Sequence, residues 1–159
     1  MKLHLLRHAK TSPSAISGKD IDRPLSAKGI AQSNLMGLYL QKRIDSNQTL
    51  CGSALRTRQT LEIIGYHKPL AGITISDDLY LCSQNQYLQV LWELDDQSDL
   101  LIVGHNFGIS DLATYLTDGR IEMRTSEYVC IEFAAIAWKE VSRGTGSIVD
   151  QYRPRVFVP

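Results

Sequence analysis

From residue 1 to residue 10 the chain reads MKLHLLRHAK, an apolar run that ends on the pair Arg7-His8. A short apolar run bounded by polar residues is typical of a buried β-strand. We therefore expect a first strand over residues 2–6, whose carboxyl end would carry Arg7 and His8 into solvent.

A second apolar run, at residues 100–103, ends on Gly104-His105-Asn106. In a layered α/β sheet, ligands bind beyond the carboxyl ends of parallel strands. If both runs are parallel strands of one sheet, His8 and His105 should reach one pocket at one edge of that sheet.

Length and composition exclude several classes of protein. The 159 residues fit a single domain, 1–159, by the prior of ~100–200 residues per domain. Lys plus Arg equal Asp plus Glu at 17 each, so no net charge favours nucleic acid or membrane. No run approaches the ~20 apolar residues of a membrane span, and the start is unlike a signal peptide. The scattered Cys51, Cys82 and Cys130 predict neither disulfides nor a zinc site. We expect a cytosolic protein.

Strand and helix patterns alternate along most of the chain. Residues 9–25, rich in Pro, Gly and Ser, are expected to form a loop, and Ser26 should cap the helix that follows. The alternation predicts an α/β fold with a mostly parallel sheet and an antiparallel edge. The predicted helices span about 27–44, 54–64 (ending near Gly65), 87–94 and 109–116; the predicted strands span 2–6, 49–51, 73–75, 100–104, 127–138 and 146–152, the last two as a hairpin.

The residues at the predicted edge suit phosphoryl chemistry. Arg7 and Arg56 offer planar guanidinium donors that match phosphate oxygens, and helix starts offer free N–H groups. A neutral imidazole is a competent nucleophile near pH 7. His8 would form a phosphohistidine that water hydrolyses, while His105 could donate to the phosphoryl oxygens.

Three motifs resemble those of the histidine phosphatase superfamily, which includes the cofactor-dependent phosphoglycerate mutases. LRHA at residues 6–9 resembles its Arg-His-Gly motif, SALRTRQT at 53–60 its second motif, and GHN at 104–106 its third. RHAKTS at 7–12, DRPL at 22–25 and Lys28-Gly29 are similar to the small bacterial branch called phosphohistidine phosphatases.

The resemblance implies a three-layer α/β/α sandwich of the phosphoglycerate mutase type and a role for each matching residue. His8 matches the phosphorylated nucleophile, Arg7 and Arg56 match the phosphate-binding arginines, and His105 matches the second histidine. Arg23, in a loop that could fold over the mouth, and Asn106, which should orient its turn, complete the expected substrate-binding set.

This sequence departs from the family pattern at two motif positions and in having no matching general acid. Ala9 stands where the wider family has Gly, and Gly52 stands where Ser is frequent. No carboxylate matches the general acid, although Asp77 and Asp78 occupy about the right region. A missing acid suits a labile phosphate such as phosphohistidine, whose protonated ring is a good leaving group.

The leading hypothesis is a metal-independent phosphatase acting on phosphohistidine of a partner protein, such as a phosphorelay domain. A phosphomonoesterase for small phosphorylated metabolites and a non-catalytic phosphate-binding module are the alternatives. No metal is expected, because arginines disfavour a nearby cation and no HxH or HExxH spacing is present. No other cofactor, nucleic acid or membrane is expected to bind.

Overall fold

A computed structural model describes residues 1–95 and 97–156 of the chain. These residues form one six-stranded sheet in the order β3-β2-β4-β1-β5-β6. The strands are β1 Lys2–Arg7, β2 Gln48–Gly52, β3 Ile73–Ser76, β4 Leu100–Gly104, β5 Tyr128–Phe133 and β6 Gly146–Tyr152. The α-helices are α1 Ala27–Leu40, α2 Leu55–His67, α3 Gln84–Trp92 and α4 Gly108–Thr117. Short 3-10 turns lie at Asp20–Asp22, Asp77–Leu79 and Trp138–Glu140.

The sheet is mostly parallel, as predicted. β1 pairs with β4, β4 with β2 and β2 with β3, all in parallel. β5 runs antiparallel to both β1 and β6. The predicted hairpin and antiparallel edge are thus confirmed, with β6 as the edge strand. The observed bounds of the last two strands are close to the predicted ones, except that β5 ends at Phe133 rather than near residue 138.

Helices cover both faces of the sheet, which confirms the three-layer sandwich. Alternate side chains of β1 divide between the faces, because successive strand residues point to opposite sides. Leu5 packs in a cluster that includes Leu88 of α3 and Leu112 of α4. Leu6 packs in a second cluster that includes Met36 of α1 and Ile64 of α2. Burial of each such side chain stabilises the fold by about 1.5–3 kcal/mol.

The ends of the first two helices have identifiable causes. The Ser26 side chain accepts a hydrogen bond from the Gly29 N–H, which confirms the predicted cap of α1. α1 ends at Leu40, before the predicted residue 44. The prediction that α2 ends near Gly65 was wrong. The helix continues to His67, whose Nε2 bonds Asn34 Oδ1 of α1 at 2.9 Å.

Strand pairing fixes the position of His8 at the carboxyl edge of the sheet. Arg7 of β1 lies opposite Gly104 of β4. Just beyond β1, the His8 N–H donates to the Gly104 carbonyl at 3.1 Å, and the His8 carbonyl accepts from the Ser126 N–H at 3.0 Å. His8 is therefore held by its own backbone between two neighbouring segments, as the sequence predicted from the two strand ends.

Candidate active site

A cavity of about 420 Å³ opens at this edge of the sheet. All six site residues expected from the sequence line it, so the structure brings the whole predicted set together, while their chemical roles stay predictions. The lining residues are Arg7, His8, Lys10, Thr11, Asp20, Arg23, Arg56, Leu81, His105, Asn106 and Thr125.

The His8 imidazole is held in one tautomer. Its Nδ1 lies 2.8 Å from the Ala9 carbonyl oxygen. A carbonyl oxygen only accepts hydrogen bonds, so Nδ1 must carry the proton and donate it. Nε2 then keeps its lone pair, which is the state that a nucleophilic imidazole requires.

Burial and surrounding positive charge keep His8 neutral. Burial, together with the positive charges of His105, Arg56 and Arg7, lowers the pKa of His8 to about 3, against the opposing effect of the Ala9 carbonyl. Since the ordinary value is ~6.5, the neutral imidazole dominates at physiological pH.

His105 faces His8 across the cavity. The ring centroids are 5.2 Å apart with an angle of 58° between the rings. Neither ring nitrogen of His105 has a hydrogen-bond partner among residues 1–95 and 97–156, although both are buried. Burial, followed by the charge of Arg56, lowers the pKa of His105 to about 4. Buried polar atoms without hydrogen-bond partners are energetically unfavourable. A ligand that forms hydrogen bonds with these two nitrogens would therefore bind favourably here.

The two predicted phosphate-binding arginines have different surroundings. Arg7 donates from Nη1 to the Met123 carbonyl at 2.8 Å, and its Nε is buried without a partner in the described chain. Burial, together with the charge of Arg124, lowers the pKa of Arg7. Arg56 donates from Nη1 to the Asp20 carbonyl at 2.8 Å and from Nη2 to Asp20 Oδ2 at 2.9 Å.

Asp20 is a charged cavity residue that sequence reasoning missed. Its carboxylate also accepts from Arg23 Nη1 at 3.0 Å and from the Tyr80 hydroxyl at 2.7 Å. The Tyr80 hydrogen bond, followed by those of Arg23 and Arg56, lowers the pKa of Asp20 to about 2. Asp20 is therefore ionised at neutral pH. The one signal in the sequence was its position three residues before Arg23 in a long loop.

Asp77 and Asp78, the carboxylates considered from the sequence as general acids, do not line the cavity. Both belong to the exposed 3-10 turn after β3. After Leu79, which is buried in the core, that segment contributes Leu81 to the cavity lining, and Tyr80 donates a hydrogen bond to Asp20.

Arg23 and Asn106 lie at the cavity, and both are engaged in local hydrogen bonds. Arg23 donates from Nε to the Ser12 carbonyl at 2.9 Å and from Nη2 to Thr11 Oγ1 at 2.9 Å, so it ties the two ends of its loop together. Asn106 Oδ1 accepts from the Ser110 hydroxyl. This contact agrees with the expectation that Asn106 orients its turn.

The second motif fastens the loop to helix α2. Thr60 Oγ1 accepts from the Ala9 N–H at 3.1 Å, and Gln59 Oε1 accepts from the Leu25 N–H at 2.8 Å. The Gln-Thr pair of the motif thus holds both ends of the segment from residue 9 to residue 25.

No group of three His, Cys, Asp or Glu side chains in residues 1–95 and 97–156 could hold a metal ion. Nor does this part of the chain contain a helix with the length and apolar character needed to cross a membrane.

Known proteins resemble this chain in sequence and in fold. The model of the histidine phosphatase superfamily (branch 1) matches residues 3–80. An uncharacterized protein of Mycobacterium tuberculosis (strain ATCC 25618 / H37Rv) is 31% identical over 94% of this chain and 100% of its own length. The SixA protein of Nakamurella multipartitia superposes with a TM-score of 0.84 and 24% identity, over 98% of this chain and 96% of that chain. The protein histidine phosphatase SixA complexed with tungstate gives a TM-score of 0.82 and 22% identity, over 96% and 97%.

Proposed function

Because the chain belongs to the histidine phosphatase superfamily, we propose that it is a phosphatase in which His8 accepts the phosphoryl group. One observation carries this proposal. The Nδ1 proton of His8 is engaged by the Ala9 carbonyl, so a neutral ring offers the Nε2 lone pair in a cavity lined by Arg7 and Arg56.

The reaction has two displacements at phosphorus. In the first, the Nε2 lone pair forms a bond to phosphorus, and the bond to the leaving group breaks with its electron pair. Arg7, Arg56 and His105 stabilise the charge on the phosphoryl oxygens. In the second, water attacks phosphorus, the bond to Nε2 breaks, and the lone pair returns to the ring. The proton of the attacking water leaves with the inorganic phosphate.

The charge state of Asp20 supports a labile substrate. Asp20, the carboxylate lining the cavity in the described chain, has a pKa lowered to about 2, so it holds no proton to donate at neutral pH. An alkoxide leaving group needs a general acid. A protonated phosphohistidine leaves as neutral imidazole and needs none. We therefore favour phosphohistidine as the substrate.

The phosphohistidine is best supplied by a partner protein, such as a phosphorelay domain. Support comes from the tungstate-bound structure that shares this fold, which is described as a protein histidine phosphatase. The alternative is a small-molecule phosphomonoesterase, since a cavity of about 420 Å³ also accommodates a small phosphate ester.

A phosphoenzyme assay tests the nucleophile. The protein is mixed with a peptide bearing labelled phosphohistidine and denatured in alkali, and the label on the protein is measured. We expect a label that is stable in alkali and lost in acid. His8→Ala should abolish it and lower kcat/KM by at least about 10³-fold. The matched control is His67→Ala, at the end of α2 and outside the cavity. Turnover that survives His8→Ala contradicts the mechanism.

Two comparisons test the substrate and the absence of a metal. The first compares kcat/KM for a phosphohistidine protein with kcat/KM for a panel of phosphate esters, and equal or better rates on esters contradict the assignment to phosphohistidine. The second repeats the assay in EDTA, where we expect full activity. A loss that added Mg²⁺ or Zn²⁺ restores would contradict a metal-independent reaction.

A further inference from the structure

A basic groove lies beside the catalytic cavity. Its volume is about 500 Å³, and its cationic residues, Lys28, Arg153 and Arg155, are all exposed. We use the name basic groove for the surface formed by Lys28, Gln32, Arg153, Pro154, Arg155 and Val156.

The strand register places the groove at the catalytic edge of the sheet. Tyr128 pairs with Leu6 of β1 on one side and with Tyr152 of β6 on the other. Leu6 is two residues before His8, and Tyr152 is directly followed by Arg153. The two arginines of the groove therefore leave the sheet at the same edge as the proposed nucleophile.

Lys10 connects the groove to the cavity. Its side chain lines the cavity, and its N–H donates to Gln32 Oε1 of the groove at 3.0 Å. The Lys10 carbonyl accepts from both the N–H and the hydroxyl of Ser26, at 2.9 Å and 3.0 Å. These bonds hold the first turn of α1 against Lys10, and that turn carries Lys28.

The cations of this region have no acidic partner. Within residues 1–95 and 97–156, no Asp or Glu oxygen lies within 4.0 Å of the side-chain nitrogens of Lys10, Lys28, Arg153 or Arg155. By contrast, Arg43 pairs with Asp150 and Arg143 pairs with Asp118. In a chain with 17 positive and 17 negative side chains, the groove is a local excess of positive charge, which attracts an anionic surface.

We propose that the basic groove binds an acidic segment next to the phosphohistidine of the partner protein, an inference that rests on the proposed function. The exposed, flexible Lys and Arg side chains suit carboxylates spread along a polypeptide. A compact second phosphate is better bound by buried donors that converge on one point, which this groove lacks in the described chain. The half-buried Val156 adds apolar surface that a peptide can contact.

Two peptides of equal length test the inference. Each carries one histidine phosphorylated with phosphoramidate, flanked by Asp and Glu in one peptide and by Asn and Gln in the other. We expect kcat/KM at low salt to be about tenfold higher for the acidic peptide. The difference should shrink as added NaCl shortens the Debye length from ~10 Å at 0.1 M to ~3 Å at 1 M.

A pair of charge-matched variants assigns the effect to the groove. Arg153→Glu/Arg155→Glu should bring the ratio of kcat/KM for the two peptides close to one. Lys42→Glu/Lys139→Glu makes the same change in net charge at exposed positions away from this edge, after the end of α1 and in the turn after β5, and should keep the ratio. Equal rates on both peptides in the wild type, or a ratio that survives the groove variant, would overturn the inference.

Two more measurements separate failure of the groove from failure of the proposed function. Anisotropy of a labelled, unphosphorylated acidic peptide measures groove binding without turnover, and binding that the groove variant does not weaken also overturns the inference. If both phosphopeptides label His8 with equal efficiency, the inference fails while the proposed function stands. If kcat/KM is higher for a small bisphosphate than for a monophosphate, but is not higher for the acidic peptide, the assignment of the groove to a protein partner is refuted.

Discussion

Asp20 Oδ2 accepts a hydrogen bond from Arg56 Nη2 at 2.9 Å, and the Asp20 carbonyl accepts a second from Arg56 Nη1 at 2.8 Å. Asp20 lies in the loop between β1 and α1, whereas Arg56 lies in the first turn of α2. The side chain of Arg56 is 4% exposed and that of Asp20 is 45% exposed. A partly solvent-exposed anion thus contacts the buried guanidinium that we propose binds phosphate.

Asp20→Asn should strengthen anion binding. The ionised carboxylate repels a phosphate and competes for Arg56, and the neutral amide removes the charge while keeping the shape. We expect the inhibition constants of tungstate and inorganic phosphate to fall several-fold, which corresponds to about 1 kcal/mol. Competition assays against hydrolysis of a phosphohistidine peptide measure both constants.

Asp22→Asn is the matched control for this experiment. Asp22 belongs to the same 3-10 turn but accepts a hydrogen bond from Ser17 and does not line the cavity. It should leave both inhibition constants within twofold of the wild type. Weaker anion binding in Asp20→Asn would show that the carboxylate positions Arg56 more than it competes with the ligand.

Gly52→Ala should displace His105. A Cβ at Gly52 would lie 3.0 Å from His105 Nε2 and 3.0 Å from the Leu79 carbonyl oxygen, so the imidazole must move. We expect kcat/KM for a phosphohistidine peptide to fall by on the order of tenfold or more, since catalytic donors must be held within about 0.5 Å of their geometry.

Gly65→Ala controls for a methyl group added to a glycine. It lies inside α2, and an added Cβ meets no atom within 4 Å. Alanine is favoured over glycine in a helix by about 0.8–1.0 kcal/mol, so this variant should unfold at higher temperature with unchanged kcat/KM. Unchanged activity in Gly52→Ala would contradict a catalytic need for the present position of His105.

Three of the site residues that sequence analysis found lie at the ends of strands. Arg7 is the last residue of β1, and His8 and His105 directly follow β1 and β4, so an apolar run and the rule for parallel sheets were enough to place them together. Each apolar run is local information, and β1 and β4 pair in parallel as the two runs suggested. Arg56 stands instead at the start of a helix, and the resemblance to known motifs supported its assignment.

Asp20 could not be found in the same way. It meets Arg56 36 residues later and Tyr80 60 residues later in the chain, through a loop whose path is fixed by long-range bonds such as Gln59 to Leu25. No periodicity encodes such contacts. The end of α2 was misjudged for a similar reason, because contact of His67 with α1 outweighs the low helix propensity of Gly65.

The protonation state of His8 gives a spectroscopic prediction. Burial lowers the pKa of His8 to about 3 and that of His105 to about 4. A lowered pKa means that the neutral ring persists as the pH falls below ~6.5. In ¹⁵N-labelled protein, long-range ¹H–¹⁵N spectra at pH 5.5 should show both rings neutral, with the proton of His8 on Nδ1. An imidazolium signal for His8 at pH 5.5, or an Nε2-protonated tautomer, would contradict the proposed nucleophile.

The same buried histidines should make the fold sensitive to acid. His4, His8 and His105 are 1%, 8% and 1% exposed, and burial lowers their pKa values to about 4, 3 and 4. The unfolded chain, with values near ~6.5, binds more protons than the folded one below that pH. Stability should therefore be complete above pH ~6.5 and fall as the pH drops towards about 4, by up to ~1.4 kcal/mol per histidine per pH unit.

Urea denaturation between pH 7.5 and pH 5 measures this loss, and His8→Asn separates one contribution from the others. Asn does not titrate, and position 8 lies at the cavity rather than deep in the core. The free energy of unfolding of His8→Asn should therefore fall less steeply with acid, by about one histidine's share of the slope. The comparison uses slopes, so it holds even if the substitution changes stability at pH 7.5. A wild-type stability that stays flat between pH 6.5 and pH 5 would mean that these rings take up protons without unfolding, and the neutral state assigned to His8 would then be wrong.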